Sequence, residues 1–206
     1  MNMLTVAWDV DDVLNSLMHT WFDAWWRPEH PACSLKYTDL SENPPHQLLG
    51  VAPLEYLKSL DEFRLTGCYE KMPPNPQVLG WFQRSGTSYR HMALTAVPRR
   101  AASVSAAWLF RHFGDWIRSF HFIPSPRAED IPTDYESNKA AFLKRLNQVD
   151  IFIDDHAGHI REAAALGIRC FLVSRPWNSG GMSIREILEI LTSTLSSGRP
   201  KIAEDK

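Results

Sequence analysis

The chain has few cysteines, no surplus of charge of either sign and no long apolar run, and each shortage argues against a class of protein. Its three cysteines, Cys33, Cys68 and Cys170, are odd in number and far apart. None forms a CxxC pair, which argues against a disulfide framework or a cysteine-built zinc site. Lys and Arg total 22 against 24 for Asp and Glu, so nothing in the charge balance attracts a nucleic acid polymer. No stretch approaches the roughly 20 apolar residues that span a bilayer, so no membrane partner is expected. The N-terminus lacks the basic start, apolar segment and small-residue cleavage site of a secretory signal, and a reducing cytoplasmic setting is the expectation. Internal repeats are absent too.

What remains is a chain of 206 residues, 44% hydrophobic and 22% charged. That suffices for one α/β domain with a modest insertion. Leu4 to Trp8, Tyr89 to Leu94, Ser119 to Ile123, Asp150 to Ile153 and Ile168 to Val173 read as strands. Helical patterns lie between them. Ala101 to Phe113 ends at Gly114, Glu136 to Leu146 follows a Thr133-x-x-Glu136 capping-box pattern, and His159 to Leu166 closes at Gly167. Strands alternating with helices predict a parallel sheet covered on both faces.

One stretch breaks the alternation. From Leu17 to Pro76 no buried strand is evident, and eight of the fourteen prolines fall between Pro28 and Pro76. Trp21, Phe22, Trp25 and Trp26 crowd its start, Leu48 to Leu60 looks helical, and Pro73-Pro74-Asn75-Pro76 resembles a stiff return linker. The stretch reads as a small helical insertion, after which Gln77 to Arg84 resumes the core as a helix. The expected division is a core of residues 1–16 and 77–206 with an inserted segment of residues 17–76.

Four features end or follow predicted strands, on the edge where open α/β sheets bind ligands. Asp9 and Asp11, two residues apart after the first strand, can divide labour between attack on phosphorus and proton transfer. Thr95, with the backbone N–H of Ala96, offers a hydroxyl and an amide to a phosphate oxygen. Lys139, near the start of a helix, can neutralise phosphate charge. Asp154 and Asp155, delivered by the apolar run Ile151-Phe152-Ile153, form an oxygen-rich pair suited to Mg²⁺. Each feature alone has an ordinary reading as a helix cap, a turn residue or a solvated side chain.

Taken in order, Asp9-x-Asp11-x-Val13, Thr95, Lys139 and Asp154-Asp155 resemble the four motifs of the haloacid-dehalogenase superfamily. The resemblance covers nearly the whole chain. It implies a five-stranded Rossmann-like sheet in the order 5-4-1-2-3, with a cap inserted after the first strand. It also implies a Mg²⁺-dependent phosphatase. Asp9 would be nucleophile and metal ligand, and Asp11 the general acid/base with its backbone carbonyl on the metal. Thr95, Ala96 and Lys139 would hold the phosphoryl group. Asp155 would be the direct metal ligand, with Asp154 as ligand or supporting group. The second acid, Asp11, is similar to the phosphatases and phosphomutases of the superfamily rather than to its dehalogenases.

Val13-Leu14, the helix Ala107 to Gly114, Ile153-Asp154-Asp155 and Arg175-Pro176-Trp177-Asn178 further resemble the 5′(3′)-deoxyribonucleotidase-like branch. That branch implies nucleoside monophosphates as substrates, with Trp21 or Trp25 stacking on a base. Their spacing also fits a helix face packed inward. Other phosphorylated metabolites, a mutase reaction, a receiver-type phosphoacceptor and a silent binding protein are the alternatives. A receiver does not place Asp-Asp last and carries no such insertion.

Overall fold

A computed structural model of the chain describes residues 3–125, 127, 136–178 and 180–197. Its centre is β1 (Thr5–Trp8), buried at every position as a central parallel strand requires. Beside it lie β2 (Arg90–Val97) and β4 (Ile151–Asp154), with β3 (Ile117–Pro124) and β5 (Arg169–Leu172) at the edges. All neighbours are parallel, in the order β3-β2-β1-β4-β5. This is the predicted order read from the other edge.

Alternation along β1 divides the core. Val6 and Trp8 join one apolar cluster, and Ala7 joins a second with Met92, Leu94, Phe142 and Phe152. The larger cluster reaches into the stretch between β1 and β2, gathering Trp21, Phe22, Trp26, Tyr56 and Phe63. Each such fully buried side chain contributes about 1.5–3 kcal/mol by leaving water. That stretch holds α1 (Leu17–Trp21), continued through a wider turn at Phe22–Trp26 into α2 (Arg27–Glu29), then α3 (Pro53–Arg64) and α4 (Gly67–Glu70). Among its residues none forms a strand.

The core resumes with α5 (Pro76–Ser85), whose start is set by Pro76 and by the Asn75 carboxamide, which accepts from Gln77 N and Val78 N. After β2 comes α6 (Ala102–Phe113), ending at Gly114 as expected. Then follow α7 (Lys139–Leu146), α8 (Ala157–Ala164) and α9 (Ile184–Ser197).

Several boundaries differ from the sequence reading. Strand β2 runs on to Val97 because Thr95, Ala96 and Val97 pair with Phe122, Ile123 and Pro124. Helix α3 begins at Pro53 rather than Leu48, since proline suits a first helical turn. Helix α7 starts at Lys139, capped by Asn138, whose side chain accepts from Ala141 N at 2.8 Å. Glu136 has φ +50 and stands outside the helix, and Thr133 lies outside the described residues. Gly167, at φ +81, terminates the chain segment after α8 in the left-handed region that glycine adopts without strain.

Candidate active site

Asp9 leaves β1 with its N–H donated to the Ile153 carbonyl of β4 at 2.9 Å, so the sheet itself sets its position. Asp154 ends β4 and Asp155 follows it. Carboxylate oxygens of Asp9, Asp154 and Asp155 all lie within 4.8 Å of one another. Lys139, at the start of α7, reaches into this cluster. Its Nζ is 2.9 Å from Asp9 Oδ1 and 2.7 Å from Asp154 Oδ2, and its side chain is 1% exposed.

Crowding shows in the proton affinities. Burial pushes Asp9 up to about 6, against the pull of Lys139. Burial would also raise Asp154, but Lys139 and His159 outweigh it and hold that group at about 2. Asp155 is raised well above the carboxylate range by burial and by the charges of Asp154, Asp12 and Asp9. Lys139 is itself raised, because Asp154 and Asp9 outweigh the burial that opposes its charge. Three buried carboxylates facing one ammonium form a hard-oxygen set, and a divalent cation placed among them would relieve their repulsion. The residues therefore fit Mg²⁺.

Asp11 turns the other way, and its carboxylate is not part of the acid cluster. Its Oδ1 accepts from Asn15 Nδ2 at 3.0 Å and from the Tyr69 hydroxyl at 3.1 Å, and its Oδ2 accepts from Arg64 at 3.0 Å. Arg64 belongs to α3 and Tyr69 to α4, so the helical stretch orients this acid. Arg64 also reaches Asp61, a fully buried carboxylate on the same helix. Asp61 further accepts from Arg100 at 3.1 Å and from Arg127 Nε and a terminal nitrogen at 2.7 and 2.9 Å. One carboxylate thus joins arginines from α3, from the turn after β2 and from the chain beyond β3.

Thr95 sits within β2, buried, and its hydroxyl has no hydrogen-bond partner. Such an orphaned group costs free energy unless a ligand atom arrives. Ala96 follows it at the rim of a cleft of about 320 Å³ lined also by Asp9, Asp11, Arg64, Lys139, Asp155 and Arg127. The predicted site residues Asp9, Asp11, Ala96, Lys139 and Asp155 therefore share one cleft, with Thr95 and Asp154 behind it.

Of the two readings of Trp21 and Trp25, base stacking and inward packing, their surroundings favour the second. Trp21 is fully buried among Phe22, Trp26 and Tyr56, with its indole N–H on Ser59 Oγ at 3.2 Å. Trp25 packs on Phe63. Neither lines the cleft, whose apolar wall includes Leu17, Met18, Tyr56, Leu57 and Leu60. The helical stretch needs its tryptophans for its own packing.

Sequence reasoning missed Asp61, Arg64 and Tyr69, because helical spacing gave them no signal distinct from a solvated face, and Asn15 and Arg127, which lie in turns and loops with no pattern to mark them. His159, within α8, also brings its ring to 3.2 Å from Asp154 Oδ2.

No protein-family model matches the chain, and no curated protein matches it. Solved structures do. A haloacid-dehalogenase-like hydrolase family protein from Streptococcus pneumoniae superposes with a TM-score of 0.61 at 12% identity, covering 93% of this chain and 98% of that one. A candidate β-phosphoglucomutase from Thermotoga maritima gives 0.58 at 20% identity, covering 93% and 99%. A candidate phosphoglycolate phosphatase from Lactobacillus delbrueckii subsp. bulgaricus gives 0.59 at 13%, covering 93% and 99%. The chain has the haloacid-dehalogenase-like fold.

Proposed function

We propose that the chain is a phosphomonoester hydrolase working through an aspartyl-phosphate on Asp9. The observation that carries this reading is the placement of Lys139 between Asp9 and Asp154, beside Asp155 and the unpartnered Thr95 hydroxyl. An Asp9 oxygen attacks phosphorus while the ester P–O bond breaks. The departing oxygen takes a proton from Asp11. Water then attacks the phosphorus, gives its proton to Asp11, and releases phosphate as the Asp9–phosphorus bond breaks.

Thr95, the Ala96 amide and Lys139 hold the phosphoryl oxygens, and most of the catalysis comes from positioning and charge stabilisation. Mg²⁺, held by Asp9, Asp155, the Asp11 carbonyl and Asp154 as ligand or support, would offset the charge developing on those oxygens. Residues 17–76 act as the cap over the leaving group. The substrate is a small soluble metabolite, with nucleoside monophosphates as the first class to try on the strength of the sequence resemblance. A base would then pack on Tyr56 and the aliphatic wall rather than on Trp21 or Trp25. The three cysteines are free thiols, which suits the cytoplasm.

The test is hydrolysis of p-nitrophenyl phosphate with and without Mg²⁺, followed by nucleoside monophosphates and sugar phosphates. Asp9→Asn should lower kcat by roughly 10⁴-fold or more, and activity that survives the change would remove Asp9 as nucleophile. Turnover of a sugar phosphate with no nucleotide turnover would retain the phosphatase and discard the nucleotidase.

A further inference from the structure

The loop that follows β5 has no part in the reaction as written, yet three of its side chains end on the acid-bearing loops. Trp177 Nε1 donates to Asp155 Oδ2 at 2.9 Å, and Asn178 Nδ2 donates to the Asp155 carbonyl at 2.5 Å. Asp155 is thereby held at both its side chain and its backbone. Arg175 crosses to the other acid loop, where Nε donates to the Asp12 carbonyl at 2.7 Å and a terminal nitrogen bonds the same oxygen.

The described residues of the loop are also bonded to one another. Arg175 N donates to Asn178 Oδ1 and Asn178 N to the Arg175 carbonyl, both at 3.0 Å. Ser174 N donates to the Met182 carbonyl, and Met182 N to that of Leu172, each at 2.8 Å. At Gly181 a Cβ would stand 2.6 Å from Ser174 backbone and 2.9 Å from Asn178 Oδ1, so only glycine permits the closure. Tyr37 packs edge-on against Trp177 with ring centroids 6.3 Å apart.

What Arg175 holds matters for Asp11. Asp12 has φ +60, and its N–H donates to Asn15 Oδ1 at 3.0 Å. With Arg175 on its carbonyl, Asp12 is pinned on both sides. The Asp12 N–H and the Asp11 carbonyl share one trans peptide plane and point in opposite directions. The Asn15 bond that fixes the first therefore fixes the second, the backbone oxygen read above as a metal ligand, and Arg175 braces the next peptide on the far side of Asp12.

The geometry points to Arg175, Trp177 and Asn178 as a metal-positioning clip, which sets the Asp155 carboxylate in place and, through the Asp12 carbonyl, braces the loop that carries the Asp11 carbonyl before a divalent cation arrives. The inference rests on reading the acid cluster as a Mg²⁺ site. Trp177 holds Oδ2 of Asp155 and so fixes the rotation of the carboxylate that a cation would meet. Without the indole donor the carboxylate can rotate, and ordering it again must come out of the binding free energy.

Titration calorimetry of Mg²⁺ into the full chain, with no substrate present, tests this directly. Trp177→Phe and Arg175→Met should each weaken Mg²⁺ binding by about 10–100-fold, while Arg175→Lys, which keeps a donor, retains most of the affinity. At saturating Mg²⁺ the kcat of the variants should return towards that of the unaltered chain. If the unaltered chain binds Mg²⁺ and Trp177→Phe and Arg175→Met bind it within twofold as well, the clip is overturned and the phosphatase reading stands. If the unaltered chain binds no Mg²⁺, the acid-cluster reading falls and the clip falls with it. Should Trp177→Phe fail to fold, the contrast between Arg175→Lys and Arg175→Met carries the test alone.

Discussion

On one wall, that of the strand ends, Asp9 lines the cleft with Thr95 and Asp154 behind it, all placed by backbone that is hydrogen-bonded into a sheet. On the other wall Arg64 lines the cleft, with Asp61 bonded to it and Tyr69 bonded to Asp11 behind, and they meet there only because α3 and α4 pack against the core. The strand wall carries an excess of buried carboxylate, three acids to Lys139, and is prepared for a cation. The helical wall carries the opposite balance, with Arg64, Arg100 and Arg127 gathered on Asp61. Asp11 belongs to the first wall by sequence and to the second by its hydrogen bonds. The comparison teaches that the strand ends supply the acids of the candidate site and the helices set the orientation of one of them, Asp11.

The sharpest way to break this contrast is at Asp61. Asp61→Asn removes the buried charge shared by Arg64, Arg100 and Arg127, of which Arg64 keeps Asp11, and should cost about 3–5 kcal/mol in urea unfolding. A cost below about 1 kcal/mol, the range of exposed pairs, would show that charge does not hold the helical wall.

The strand wall has its own test in His91, on β2. Its Nδ1 accepts from Trp8 Nε1 at 3.0 Å, and its Nε2 lies 2.8 Å from the Gly86 carbonyl, an arrangement only neutral imidazole can satisfy. Burial lowers it from 6.5 to about 4. Below pH 6.5 the unfolded chain takes up a proton at His91 that the folded chain refuses, so this contribution to stability falls as pH falls towards 4. Asp9 and Asp155, raised in the folded chain, act in the opposite sense over the same window. The His91 loss, about 3 kcal/mol, is therefore read as the change with pH in the urea-midpoint difference between the unaltered chain and His91→Gln. A difference that stays constant across that window would place the charge-sensitive part of the fold elsewhere.

The smallest expected effect is at Trp21. Trp21→Phe loses the bond to Ser59 Oγ and should cost about 1 kcal/mol, with KM for every substrate tried unchanged. A raised KM for nucleotides alone would return this tryptophan to the cleft.

Legibility in the sequence followed the same division. Continuous apolar runs ending in acids or a hydroxyl mark buried parallel strands, and strand ends have one place to go in a doubly covered sheet. Asp9, Thr95, Asp154 and Asp155 were therefore readable from local pattern, and Lys139 from its motif. Boundaries were less so. Strand β2 outran its apolar pattern because pairing with β3 continued, and α7 took its start from Asn138 rather than from Thr133-x-x-Glu136. Arg64 and Asp61 look like any polar pair three residues apart on a helix, and nothing local tells that both are buried.

The sequence by itself determined the alternation of strands and helices, the strand-free helical stretch between β1 and β2 and the acids, threonine and lysine gathered in the candidate site. Local periodicity and turn chemistry encode those features, and each involves residues close together in the chain. Only the tertiary structure decided that Arg64 and Tyr69 hold Asp11, that Trp177 and Asn178 hold Asp155, and that Trp21 belongs to the core. These contacts join residues 22 to 58 positions apart, and they exist because packing brings distant segments into one place.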